Sequence, residues 1–103
     1  MRFLIKAQIP VEVGNAKARD GSLARDMQRI VEAQKPESAY FIEDEGVRTA
    51  VLAVNMNDTS ELPAIAEPWF LAFNAKFTAR PAMVAEDLAK AQPAIEAAVK
   101  DFG

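Results

Sequence analysis

Four cations of this chain are placed where they could grip a ligand. Lys6, Arg48, Lys76 and Arg80 each interrupt a short alternating segment, and the expected strand phases put them on one sheet face with Gln8, Tyr40 and Thr78. Such a face suits a carboxylate or a phosphate, with arginine able to hold it through two parallel hydrogen bonds. The plainer reading is that these long side chains lie at a rim, stems on apolar surface and heads in water, or pair with carboxylates of another subunit. Trp69, together with Tyr40, could line a pocket for a flat molecule, with Asn55 or Asn74 polarising a carbonyl. Against this, Trp69 falls at helical core spacing, Asn74 stands where a helix stops, and Asn55 ends a strand.

Other chemistry is excluded by what is missing. The 103 residues contain no Cys and no His, which removes disulfides, thiol chemistry, the commonest metal ligand and the commonest general base. Glu43, Asp44 and Glu45 form an acidic run, but adjacent carboxylates on a turn alternate outward and rarely build an oxygen cage. No glycine-rich phosphate loop, nucleophile elbow or dinucleotide fingerprint is present. A net charge of −3 argues against nucleic acid or an anionic membrane as partner. No segment approaches the ~20 apolar residues of a membrane span, and with no address evident the expected home is the cytoplasm. No metal, no cofactor and no catalytic residue can be assigned.

The element that positions these residues is DTSELPAIAEPWFLAF, Asp58 to Phe73. Leu62, Ile65, Ala66, Trp69, Phe70 and Phe73 recur along one face of a helix. Asp58, Thr59 and Ser60 offer capping oxygens, Asn74 a left-handed stop, and Pro68 predicts a kink. Before it come a strand over 2–9, a helix from Asn15 to Gln34 with a break or close approach at Gly21, a strand from Glu37 to Glu43, and a strand over 47–55. After it come a strand over 74–81 and a helix from Met83 that keeps its apolar spacing through Pro93, bent near Gln92. The composition, half apolar and a quarter charged, is that of one ordinary globular domain over 1–103.

This order, β-α-β-β-α-β with a trailing helix, predicts an α+β fold: a four-stranded antiparallel sheet of ferredoxin-like layout, first and third strands central, crossover helices on one face. Both alternations of VRTAVLAVN (Val47 to Asn55) are largely apolar, as in a strand covered on both sides. The expected open face then carries Leu4, Ile42, Leu52 and Val54, more apolar surface than most monomers leave in water. Either the trailing helix folds beneath it or a second subunit covers it through a two-fold axis, and the second is favoured.

With the length and strand order, the segments KPESAYF (Lys35 to Phe41), LPAIAEPWFLAFNA (Leu62 to Ala75) and RPAMVAEDLAKA (Arg80 to Ala91) resemble small bacterial proteins within or near the dimeric α/β-barrel superfamily of ferredoxin-like proteins. That resemblance covers nearly the whole chain and implies a homodimer with an interior cavity, not a reaction. The superfamily includes cofactor-free monooxygenases, isomerases, haem-dependent peroxidases and stress-response proteins, and the lack of His departs from its haem-binding members. Two readings follow. The first is a homodimeric binding module whose cavity takes a small anionic or aromatic metabolite, contacted by Lys6, Tyr40, Arg48, Trp69, Lys76 and Arg80. The alternative is a cofactor-independent isomerase or monooxygenase acting on a small carbonyl or phenolic compound, with Tyr40, Arg48 or Lys76 in the site.

Overall fold

A computed structural model describes residues 1–103. The strands are β1 (Arg2–Ile9), β2 (Ser38–Asp44), β3 (Val47–Asn55) and β4 (Lys76–Pro81); the helices are α1 (Val11–Asp20), α2 (Ser22–Gln34), α3 (Leu62–Phe73) and α4 (Ala85–Phe102). All neighbouring strands are antiparallel, in the order β2-β3-β1-β4, so β1 and β3 are central. The fold is therefore α+β with a four-stranded antiparallel sheet.

The expected helix from Asn15 to Gln34 is two helices. Pro10 starts α1 four residues earlier than expected, at Val11, because proline is acceptable beside a helix start where no amide bond is needed. Gly21 ends α1 with φ 85°, its N–H bonded back into the last turn, and α2 begins at the next residue. A left-handed φ at this junction is what glycine adopts without steric cost. Lys17 ties the two helices by an ion pair with Asp26 at 2.9 Å and also lies over the Phe73 ring.

Asp58 opens the run into α3 as expected. Its carboxylate accepts the Ser60 N–H at 2.8 Å while Glu61 accepts the Asp58 N–H at 2.8 Å, a reciprocal cap over a single 3-10 turn. The helix continues through Pro68 and stops at Asn74, which takes φ 52°. The chain's trailing helix α4 is one unbroken element across Pro93.

One buried cluster lies between the sheet and the first three helices. Ile5, Ala7 and Ile9 of β1 and Ala50, Leu52 and Val54 of β3 meet Ile30 of α2 and Trp69 and Phe73 of α3. Burying each large side chain of this set contributes roughly 1.5–3 kcal/mol. Phe70 is only half-buried and meets Phe77 of β4 edge to face, with ring centroids 5.8 Å apart.

The β3 phase corrects the sequence reading. Leu52 lies opposite Ile5 and Val54 opposite Phe3, so both face the helices, with exposures of 0% and 1%, and not the open side. Arg48 belongs to the same alternation and turns the same way. The open side instead carries Leu4, Lys6 and Gln8 of β1, Thr49, Val51 and Ala53 of β3, Tyr40 and Ile42 of β2, and Lys76, Thr78 and Arg80 of β4, with Gln8 and Thr49 themselves buried.

Candidate functional site

Three cross-strand rows build the open face. The middle one reads Tyr40, Val51, Lys6, Thr78 from β2 to β4. The two beside it read Ser38, Ala53, Leu4, Arg80 and Ile42, Thr49, Gln8, Lys76. Neighbouring strands are about 4.8 Å apart, so Tyr40 stands about 14 Å from β4. The face is consequently divided. Its β2–β3 side is apolar, with Tyr40 64% and Ile42 48% exposed, and its β4 edge is cationic.

The cations differ in how far they are already committed. Lys6 is paired with Asp44 at 2.8 Å, and Gln8 donates to Glu45 at 3.3 Å, so the hairpin acids fold back toward the sheet instead of forming a separate acidic tip. Glu43 accepts the Gly46 N–H and closes the turn. Arg2 is held by Glu37 at 2.9 Å, and Glu37 also accepts from Asn55 at 2.7 Å. The Arg2 guanidinium therefore keeps the Glu37 carboxyl below the usual carboxylate range. Lys76 and Arg80, by contrast, take part in no ion pair. Between them lies Thr78, whose hydroxyl oxygen is buried without a hydrogen-bond partner. A buried unpaired hydroxyl costs free energy until something satisfies it.

Of the six residues predicted to contact a ligand, Lys6, Tyr40, Lys76 and Arg80 share the open face. Arg48 does not. It pairs across from Ile9 on the helix face, where its Nη1 donates to Asn15 Oδ1 at 3.0 Å over the backbone of Gly14. Trp69 is fully buried in the core and its indole N–H donates to Gln34 Oε1 at 3.3 Å. Neither can touch a molecule lying on the open face. Asn55 is used by Glu37, while Asn74 lies with Gln8, Glu45 and Lys76 around a cleft of about 300 Å3 at the sheet's end. The roles of Asp44 and Glu45 escaped sequence reading, although acids on a hairpin next to strand cations are the available signal.

A second depression, about 160 Å3, lies near Phe3, Met56, Leu62 and Ala79. It is almost wholly apolar and smaller than the ~300–1,000 Å3 of typical ligand pockets. No helix is long and apolar enough to cross a membrane. In comparison with known proteins, the chain matches no protein-family model and no curated protein.

Proposed function

We propose that this chain is a ferredoxin-like domain of the dimeric α/β-barrel type, acting as a homodimeric binding module for a small anionic metabolite. The observation that carries the reading is the divided open face. Lys76 and Arg80 flank the orphaned Thr78 hydroxyl on one side, and Tyr40, Ile42, Val51 and Leu4 offer apolar surface on the other. An acidic head would lie on the β4 edge, the Thr78 hydroxyl donating to it and Arg80 or Lys76 supplying the charge. A flat or aliphatic body would lie over Leu4, the apolar residue paired with Arg80 beside that edge. The second copy covers the face and turns an open surface into an enclosed one.

The order β2-β3-β1-β4 with helices packed on one side supports the ferredoxin-like assignment. The ligand reading is tested by thermal shift with inorganic phosphate, benzoate and phenyl phosphate. At least one of the two aromatic acids is expected to raise the melting temperature, and Lys76→Ala with Arg80→Ala to abolish the shift without unfolding the chain. Equal shifts in the wild type and the double variant would overturn the cationic edge as the site. Light scattering at micromolar concentration should give twice the chain mass.

A further inference from the structure

α4 has no partner within its own chain. The molecule measures 58 × 27 × 20 Å with a radius of gyration of 17.0 Å, whereas ~100 residues folded compactly have about 13 Å. The excess length is the helix: 18 residues make a rod about 27 Å long. None of its residues is buried, and Phe102 is 92% exposed. Yet Val84, Leu88, Ala91, Ile95, Val99 and Phe102 form one continuous stripe at helical spacing. An isolated amphipathic helix of this length is marginal in water, so the stripe needs a surface to lie on.

We infer that α4 is an exchanged arm, whose apolar stripe lies on the β2–β3 side of a second copy's open face. This rests on the homodimer proposed above and names the segment that makes it. Three observations select that occupant. Each chain has one unpartnered arm and one unpartnered face, so a two-fold exchange satisfies both copies and closes. The arm is held close to β4, with the sheet bonding continued by Ala82 N–H to Arg2 carbonyl at 3.0 Å, which leaves only Met83 and Val84 between anchored strand and helix. Its ~27 Å length matches a nine-residue strand such as β3, about 30 Å.

The area is sufficient. A rod ~10 Å wide and ~27 Å long buries about 270 Å2 on one face and as much on the surface beneath. Two arms then bury on the order of 1,100 Å2, just above the ~1,000 Å2 that a biological interface should clear. The arm covers Tyr40, Ile42 and Val51 and leaves the Lys76–Arg80 edge accessible.

The chain has no cysteine, which gives a clean test by cross-linking. Val51→Cys with Ile95→Cys in one chain is expected to form a disulfide at twice the chain mass under mild oxidation. Val51→Cys with Ala97→Cys, on the opposite side of α4, should not. Ile95→Glu, an exposed position in the protomer, should weaken self-association at least tenfold while leaving the circular dichroism of the fold intact. A disulfide at single-chain mass would mean that α4 closes on its own sheet, overturning the exchange. A dimer that survives Ile95→Glu and never cross-links would overturn the arm while leaving the homodimer standing. A wild-type chain that stays monomeric at high micromolar concentration would overturn both.

Discussion

The guanidinium of Arg48 lies so close over Gly14 that a Cβ there would stand 2.6 Å from its Nη1. The same Nη1 donates to Asn15 Oδ1 at 3.0 Å, so one strand cation is clamped onto the first helix by a glycine and an asparagine in succession. In Gly14→Ala two effects oppose. The better helix former contributes about 0.5–1 kcal/mol, while displacing a charged hydrogen bond costs about 1.5–3 kcal/mol. The substitution is therefore expected to destabilise the wild type. In an Arg48→Ala background the clash is gone, and the same change should stabilise by about 0.5–1 kcal/mol. Urea unfolding of the four proteins measures the coupling; additive effects would show that the contact is not felt.

Gln34 holds Trp69 and α3 at once, accepting from the indole N–H at 3.3 Å and donating to the Ile65 carbonyl at 2.8 Å. Gln34→Leu leaves the buried indole N–H unpaired and is expected to cost about 1–3 kcal/mol. Trp69 is the only tryptophan, so its emission reports this place alone. In the folded wild type it should be blue-shifted and protected from acrylamide several-fold relative to the urea-unfolded chain. Quenching equal in the two states would contradict the buried position.

Leu52 and Leu4 are separated by the sheet itself, one fully buried under the helices and the other 48% exposed on the open side. Leu52→Ala should cost about 2–5 kcal/mol, the range for emptying a packed core site. Leu4→Ala in a monomeric Ile95→Glu background should stay within about 0.5 kcal/mol of its parent. Thermal denaturation of the pair decides the β3 phase without coordinates. Equal losses would mean that the two faces are covered alike.

Acid should weaken the fold. Lys17 holds the Asp26 carboxyl below its ordinary value, Arg2 does the same for Glu37, and the Ser60 backbone N–H for Asp58. A carboxyl whose folded value lies below its unfolded one contributes stability above the unfolded value, and that contribution is lost as pH falls through the folded one. The melting temperature is expected to be level from about pH 5 to 7 and to fall below about pH 4. Lys17→Met should lower it at neutral pH and flatten the acid limb. An unchanged limb would remove Asp26 from the account.

What the sequence determined by itself was the four strands, α3 and α4, and the identity of the central strands. Repeating apolar spacing marks α3 and α4, and short alternating runs bounded by Pro10, Gly46 and Pro81 mark the strands, because local geometry ties side-chain period to backbone type. It also put Lys6, Lys76 and Arg80 on one face, since β1 and β4 alternate cleanly and their polar sets have one place to go. β3 was different. Both of its alternations are apolar, so period alone cannot say which faces the helices, and the single charge at Arg48 pointed the wrong way. Tertiary structure decided it: pairing opposite Ile5 carries Leu52 into the core, and a glycine in α1 opens the space in which Arg48 lies. The course of α4 was equally beyond local spacing, because an amphipathic stripe states that a surface is needed and not which one. Register and the direction of chain exit are relations between distant residues, and only the packed structure contains them.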